Sequence, residues 1–361
     1  MDEQPLVIAG LGMISCLGSG AEINAAAMRC GYDAFLITDF VNPRRPGEPL
    51  IVAPIAFMEQ QGLVRHAELA RRVARQALSP AIETPLELPL FLCLASPQRP
   101  GQHTDEGYTQ ALVHAVGRND TVRAFHAGSK VIARDRAGFV EGLLRARSLL
   151  YGQDNPPPYA LIVALDSYLT NPALHHFGGG LDAEPRLHTD SNPNGFIPGE
   201  AAVAVLLRRP REPREEAIAI TGLGFGHESS GVDSDDPVGT EGLVKALRQA
   251  CAEAGIDAGE THFRIASING EEYFFTEASQ AQTRLLTERV EAHPLWSPCS
   301  HIGEVGAAAG GAMTVMGAYA LHKGYAPGRR ALCHLSNDGG ERAAFILERR
   351  TAMTTKPTKE E

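Results

Sequence analysis

One internal repeat limits the folds that this chain can adopt. The stretches VIAGLGMIS (7–15) and IAITGLGFG (218–226) both place an apolar strand pattern directly before a Gly-Leu-Gly turn. The segment RRPREPREE at 208–216 is charged and broken by proline, which is typical of a crossing on the surface. A chain whose two parts begin in the same way is expected to form two similar halves.

Short apolar runs alternate with longer amphipathic patterns along most of the chain. The apolar runs predict strands at 6–12, 88–95, 159–165, 201–207, 217–224 and 263–268, and a closing pair in ALCHLS and AAFILE. Apolar residues at three- and four-residue spacing predict helices that include 63–78, 138–150 and 241–255. Near-continuous apolar strands indicate a sheet covered by helices on both sides, so the sequence predicts an α/β fold.

The repeat also predicts the boundaries of the two parts. We expect an N-terminal half over 1–210, a C-terminal half over 217–349 and a disordered polar tail over 350–361. No apolar stretch reaches the ~18–20 residues that cross a bilayer. The acidic start, MDEQPLVIAGLG, is unlike a signal peptide. These features predict a cytoplasmic protein without a membrane segment.

The composition argues against several classes of protein. Of the 361 residues, 43% are hydrophobic, which is typical of a globular chain. The net charge of −10 argues against nonspecific binding to nucleic acid or to membrane surfaces. The six cysteines are scattered without a C-x-x-C pair, so neither a zinc site nor a disulfide framework is expected.

The first Gly-Leu-Gly turn partly imitates a dinucleotide-binding fingerprint. In GLGMISCLG, however, Ser15 occupies the third glycine position of G-x-G-x-x-G. No strand pattern ends in an acidic residue at the expected distance of ~20 residues. The glycines are therefore interpreted as a tight strand exit, and we expect no cofactor.

Two other stretches place a carboxylate at the mouth of an apolar segment. In SNPNGFIPGEAAVAVLL, the loop residues Phe196, Gly199 and Glu200 lead into a buried strand. In CSHIGEVGAAAG, Glu304 precedes a run rich in alanine and glycine. A carboxylate stranded at such a place is costly, so Glu200 is interpreted as a paired residue that orders its loop.

Five stretches in order resemble the β-ketoacyl synthases of the thiolase-fold superfamily over nearly the whole chain. VIAGLGMISCLGSG is similar to the family's V-T-G-x-G-x-x-S/T-x-x-G opening, and NGFIPGEAAVAVLL is similar to its G-F-x-x-G-E-G-A strand entry. AGIDAGETHFRIASING and GEVGAAAGG resemble the segments of its two catalytic histidines, and LCHLSNDGGERAAFIL resembles its closing hairpin. The resemblance implies a thiolase-like fold of two repeated halves in a five-layer α-β-α-β-α arrangement.

The family uses a cysteine nucleophile, two histidines and a lysine, and the resemblance implies that all four are substituted here. Asp135 falls at the position of the cysteine, Glu271 near the first histidine, Cys299 at the lysine and Glu304 at the second histidine. A different register would offer Ser129 as the nucleophile. A carboxylate cannot replace a thiolate in forming the thioester, and ionised glutamates would repel the oxyanion that the histidines stabilise.

These substitutions favour a catalytically degenerate β-ketoacyl-synthase-like protein. Because the resembling family pairs edge strands, we expect a homodimer, with a binding, scaffolding or accessory role toward a carrier protein or a type VI secretion effector. The alternative is an acyltransferase or 3-oxoacyl-carrier-protein synthase with Cys299 as nucleophile and His301 or Glu304 as base. A third hypothesis is a hydrolase or metal site on Asp135, Glu271 and Glu304, although their spacing demands no metal.

Overall fold

The computed structural model describes residues 4–351 apart from 41, 43–46, 103, 153–154, 181–182, 214, 289 and 291. Most of the predicted tail at 350–361 lies outside the described residues. Of its first two residues, which are described, Arg350 ends a strand.

The strands form one large sheet and two small two-stranded sheets. In chain order they are β1 (Leu6–Ser15), β2 (Gly18–Ser19), β3 (Leu36–Thr38), β4 (Leu50–Val52), β5 (Leu86–Leu88), β6 (Leu90–Leu94), β7 (Val122–Phe125), β8 (Lys130–Ala133), β9 (Ala160–Ser167), β10 (Glu200–Arg208), β11 (Ala217–His227), β12 (Phe263–Ala266), β13 (Leu295–Trp296), β14 (Arg330–Ser336) and β15 (Glu341–Arg350).

The helices agree with the predicted patterns where a pattern was assigned. In chain order they are α1 (Ala21–Arg29), α2 (Gly62–Leu78), α3 (Glu106–Gly117), α4 (Gly138–Tyr151), α5 (Asn171–Phe177), α6 (Glu241–Glu253), α7 (Glu272–Leu285), α8 (Cys299–Ile302) and α9 (Ala309–Lys323). The predictions at 63–78, 138–150 and 241–255 are confirmed by α2, α4 and α6. None of the described helices is long and apolar enough to cross a membrane.

The large sheet consists of two parts with the same topology. The N-terminal part has the order β8-β6-β9-β10-β1, and the C-terminal part has the order β13-β12-β14-β15-β11. When the five strands of each part are numbered in chain order within that part, both orders read 3-2-4-5-1. In both parts the first three strands of that order are parallel and the last two pairings are antiparallel. The two repeated halves predicted from the Gly-Leu-Gly repeat are confirmed.

Helices cover both faces of each part of the sheet. The largest core cluster includes the buried faces of α4 and α9 together with strands of both parts, so these helices form a middle layer. Separate clusters pack α2 and α3 on the outer face of the N-terminal part and α6 and α7 on that of the C-terminal part. Alternate residues of β9 serve the two faces, since Ile162 belongs to the middle cluster and Leu161 to the outer one. The result is the five-layer thiolase-like arrangement.

The repeated glycines allow a helix to touch a strand. A Cβ added to Gly12 in β1 would lie 2.2 Å from the carbonyl oxygen of Val73 in α2. A Cβ added to Gly224 in β11 would lie 1.9 Å from the carbonyl oxygen of Ala246 in α6. The two halves thus use the same close approach, and the glycines serve packing. The prediction that the Gly-Leu-Gly stretches form turns at a strand exit is wrong, because both stretches lie inside β1 and β11 and pair with neighbouring strands.

The run predicted as one strand over 88–95 is divided. Pro89 separates β5 from β6, and the two segments join different sheets, because β5 pairs with β7 and β6 pairs with β8 and β9. Proline has no N–H to donate to a neighbouring strand, so few hydrogen bonds are lost when the chain changes its pairing partner at Pro89.

Candidate functional site

Asp135 lies at the turn between β8 and α4. Among the described residues it is the only non-glycine residue with positive φ, 48°. A short 3₁₀ turn at 135–137 leads from it directly into α4. The Asp135 carboxylate accepts a hydrogen bond from the Ser96 N–H at 3.0 Å and pairs with Arg99 at 3.1 Å. The chain therefore makes a sharp strand-to-helix turn here that presents a carboxylate.

A buried cluster around Arg99 lies next to Asp135. The Arg99 guanidinium binds the Asp166 carboxylate and donates to the Tyr168 hydroxyl at 2.9 Å. The second oxygen of Asp166 accepts from the Ala307 N–H at 2.7 Å. Burial raises the pKa of Asp135, and the charge of Asp166 acts in the same direction, while the charge of Arg99 opposes it. The contacts with Ser96 and Arg99 hold the Asp135 carboxylate in place.

A second buried network connects two arginines with three carboxylates. Arg136 donates to Glu304 at 2.5 Å and to Asp338 at 2.8 Å. Arg186 binds both oxygens of Glu271, at 2.7 and 2.9 Å, and donates to the other oxygen of Asp338 at 2.9 Å. Asp338 therefore joins the two arginines to each other.

Asn269 closes this network into a ring. Its side-chain amide donates to Glu271 at 2.8 Å and to Glu304 at 3.0 Å. We call the six residues Arg136, Glu304, Asn269, Glu271, Arg186 and Asp338 the Arg–carboxylate ring. Both arginines come from the N-terminal half, whereas Asn269 and all three carboxylates come from the C-terminal half.

The charges of the ring stabilise one another. Burial alone would lower the pKa of Arg136, but the charges of Glu304 and Asp338 outweigh it and hold that pKa well above its usual value. Asp338 and Glu271 have the same effect on Arg186. Burial would raise the pKa of Asp338, but the two arginines hold it well below the usual range. Arg136, Arg186 and Asp338 are therefore charged and paired with one another at neutral pH.

The loop at 196–200 fixes the main chain of Glu304. The Glu304 N–H donates to the Ile197 carbonyl at 2.7 Å, and the Gly199 N–H donates to the Glu304 carbonyl at 3.0 Å. A Cβ on Gly199 would lie 2.2 Å from the carbonyl oxygen of Ile302. The carboxylate itself accepts from the Gly306 N–H at 2.7 Å. Gly199 thus permits the close approach that positions Glu304.

Phe196 and Glu200 order the same loop from its two sides. Phe196 packs edge-on against Tyr168 with ring centroids 5.4 Å apart. The Glu200 carboxylate accepts from the Ile55 N–H at 2.8 Å and forms an ion pair with Arg65. The carboxylate at the mouth of β10 therefore has the partners that its burial requires.

Cys299 lies beside the ring in an environment that disfavours a thiolate. Burial and the charge of Glu304 raise the pKa of the Cys299 thiol, and the charge of Arg136 only partly opposes them. The Cys299 N–H donates to the Ser297 hydroxyl at 3.2 Å. Cys299 and Asn269 both line a cavity of about 370 Å³ that opens to the surface near Phe275.

Ser129 is not brought to the ring. Ser129 precedes β8, whereas Asp135 follows that strand. The Ser129 hydroxyl accepts from the Leu90 N–H at 3.0 Å. By contrast, Glu271 and Glu304 share one partner, Asn269. Within the described part of the chain, no group of three or more histidine, cysteine, aspartate or glutamate side chains is arranged to hold a metal ion.

The sequence reasoning missed three members of the ring: Arg136, Arg186 and Asn269. It placed Asp338 in the segment that resembles the closing hairpin of the family, without a role in pairing. The first histidine of the resembling family was expected near Glu271, yet the side chain that lies between the two glutamates is Asn269, two residues earlier. One signal was available, since Glu304 stands before an apolar segment and a buried carboxylate requires a partner such as a buried cation. Which arginine supplies it depends on contacts between distant parts of the chain.

Comparison with known proteins gives a class of fold and no closer identity. No family model and no curated protein matches the chain. A type II PKS ketosynthase in complex with its acyl-carrier protein aligns with a TM-score of 0.75 and 14% identity, over 96% of this chain and 100% of that one. The ishigamide ketosynthase/chain length factor aligns at 0.73 and 18%, covering 96% and 99%.

A third similar structure is a β-ketoacyl synthase from Burkholderia phymatum, with a TM-score of 0.70 and 16% identity over 96% of this chain and 99% of that one. At these identities the similarity establishes the fold alone. The chain has the thiolase-like fold of ketosynthases and chain length factors.

Proposed function

We propose that this chain is a catalytically inactive, ketosynthase-like subunit that acts as a dimeric binding or scaffolding protein. The observation that carries the proposal is the Arg–carboxylate ring. Its buried acceptors are already bound to guanidinium groups of the same chain, as in the bidentate contact of Arg186 with Glu271.

The two glutamates of the ring have the opposite chemistry to what condensation requires at the positions predicted for the histidines. Decarboxylation and condensation develop negative charge on an enolate oxygen, which needs hydrogen-bond donors. Glu271 and Glu304 accept hydrogen bonds at the positions predicted for the two histidines. Asp135, at the position predicted for the nucleophile, offers a carboxylate that cannot form a stable thioester.

Intact-mass spectrometry tests the loss of catalysis. After incubation with acyl-coenzyme A and with acyl-carrier-protein thioesters we expect no mass increase, while a cysteine-dependent ketosynthase treated identically is acylated. An adduct that disappears in Cys299→Ala would overturn the proposal in favour of the acyltransferase alternative. An adduct that disappears in Ser129→Ala or Asp135→Asn would overturn it in favour of another nucleophile.

The proposed dimer uses the free edge of the N-terminal part. Within the described strands, β8 ends the large sheet and pairs on one side only, with β6. An unpaired edge strand is a template for pairing with another chain. Light scattering at micromolar concentration is expected to give the mass of a homodimer, and a monomer would contradict this part of the proposal.

The proposed partner is a carrier protein or a second ketosynthase-like chain. Two of the similar structures are a ketosynthase with its acyl-carrier protein and a ketosynthase/chain length factor. A pull-down from the native host, followed by mass spectrometry, is expected to recover such a partner. Recovery of a secreted effector instead would favour the type VI secretion alternative.

A further inference from the structure

A basic cleft lies at the end of the molecule away from the Arg–carboxylate ring. Its volume is about 580 Å³, and Tyr151, Arg208 and Arg350 belong to its lining. These residues are the last of α4, β10 and β15, whose first residues lie near the ring. Since α4 has 14 residues, the two places are separated by roughly 20 Å.

The lining carries a strong excess of positive charge. Four arginines line the cleft (Arg208, Arg209, Arg211 and Arg350) against one carboxylate, Glu212. The whole chain has a net charge of −10, so this concentration of arginine runs against the composition. A positive cleft in an acidic protein raises the local concentration of anions.

The segment that carries the arginines is held in place. Arg208 forms an ion pair with Glu215, and the same carboxylate accepts from the Arg211 N–H at 2.7 Å. On the other side, Arg350 donates to the Pro213 carbonyl at 3.1 Å. Pro210 and Pro213 also line the cleft, and their fixed φ angles reduce the freedom of this segment. The cleft is therefore formed before any ligand arrives.

Two guanidinium groups are available to a ligand. Among the described residues, no side chain forms an ion pair or hydrogen bond with the guanidinium of Arg209 or of Arg211. Burial raises the pKa of Tyr151, and the charges of Arg209, Arg350 and Arg147 oppose this effect. Tyr151 and Tyr159 provide aromatic surface in the same cleft.

We propose that this cleft binds a small organic anion that carries two or more phosphate groups. The guanidinium groups of Arg209 and Arg211 bind the phosphates, because the planar fork of arginine matches phosphate oxygens, and Arg350 adds charge. Tyr151 and Tyr159 contact the organic part. The volume is within the range of roughly 300–1,000 Å³ that is usual for small-ligand sites. This proposal does not depend on the function proposed for the ring.

Isothermal titration calorimetry at low ionic strength tests the site, with inorganic pyrophosphate and adenosine 5′-diphosphate as probes. We expect both to bind to the full chain, with affinity that falls as salt is added. The double variant Arg209→Glu/Arg211→Glu is expected to lose affinity by about tenfold or more. The matched control, Arg118→Glu/Arg123→Glu, reverses two exposed arginines outside the cleft and is expected to bind as the wild type does.

Each result decides the proposal once circular dichroism shows that both double variants are folded. No binding of either probe to the wild type would overturn it. An equal loss in the two double variants would also overturn it, since it would mean that net charge and not the cleft attracts the probes. Binding of pyrophosphate with no gain for adenosine 5′-diphosphate would overturn the role of the two tyrosines. If folding fails in the Glu variant, Arg209→Gln/Arg211→Gln provides the same comparison.

Discussion

At the residue scale, Asp135 is held in an uncommon backbone conformation by its own side chain. Its φ of 48° lies in the left-handed region, which most residues with a Cβ avoid. Aspartate and asparagine enter this region more easily, because their short side chains can form local hydrogen bonds. Here the carboxylate accepts from the Ser96 N–H at 3.0 Å, and Arg99 compensates its charge.

The backbone at Asp135 leads to a first prediction. Replacement by valine places a β-branched residue at positive φ and removes the acceptor, which is expected to lower the free energy of unfolding by about 1–3 kcal/mol. Asparagine also tolerates positive φ, and its side-chain oxygen can still accept from the Ser96 N–H. Asp135→Asn is therefore expected to lower the free energy of unfolding by about 1 kcal/mol or less. Denaturation by urea measures both. Equal losses in the two variants would show that the turn is not strained.

The Arg136–Glu304 pair leads to a second prediction at this scale. The two side chains are 3% and 0% exposed, so removal of either leaves a buried charge without its main partner. Arg136→Met and Glu304→Gln are each expected to cost about 3–5 kcal/mol. The double variant is expected to lose much less than the sum, because the two residues share one interaction. Additive losses in this double-mutant cycle would contradict the pairing.

At the scale of elements, the contact between β11 and α6 depends on glycine. A methyl group on Gly224 would lie 1.9 Å from the carbonyl oxygen of Ala246, and no rotamer can relieve a clash with backbone. Gly224→Ala is therefore expected to cost about 1–3 kcal/mol or more, because the helix must move off the strand. Gly259→Ala is the matched control, since a Cβ there meets nothing within 4 Å. Thermal unfolding compares the two, and a similar loss in the control would contradict the role of close packing.

The same elements explain what the sequence could predict. The repeat, the amphipathic helices such as α2 and α6, and most strands of the large sheet follow from local patterns, because each pattern reports which face of an element is buried. The division at Pro89 was visible in the sequence and was overlooked. β8 was missed because KVIA is too short to produce a pattern.

The Arg–carboxylate ring could not be derived in this way. Glu304 was singled out as a carboxylate at the mouth of an apolar segment, and Glu271 only through the resemblance to the family's first histidine. Arg136 and Arg186 look like ordinary surface arginines in the sequence. Arg186 contacts Glu271 85 residues further along the chain, and Arg136 contacts Glu304 168 residues away. Contacts at such separations follow from the assembled fold and not from any local spacing.

At the scale of the whole molecule, the ring connects the two halves across the middle of the fold. The N-terminal half contributes cations and the C-terminal half contributes anions, and the exposed pair of Arg134 with Glu341 repeats this polarity nearby. Buried ion pairs add less stability than apolar packing of similar volume, but they permit few relative placements of their partners. The ring therefore restricts how the two halves can meet.

This arrangement predicts how stability depends on pH. The arginines hold the pKa of Asp338 below its usual range in the folded chain. Its contribution is then fully present above the ordinary aspartate pKa of about 3.9 and is lost as the pH falls through the lower, folded value. Asp135 acts in the opposite sense, because burial raises its pKa and protonation removes an unfavourable buried charge.

The urea midpoint, measured between pH 7 and pH 3, separates the two groups. The wild type is expected to lose stability mainly below about pH 4. Asp338→Asn is expected to start from a lower midpoint at pH 7 and to fall less steeply in acid, because the group that takes up the proton is gone. Asp135→Asn is expected to fall more steeply, because it lacks the group that gains stability on protonation. If Asp338→Asn kept the acid slope of the wild type, the carboxylate that joins Arg136 to Arg186 would contribute nothing to holding the halves together.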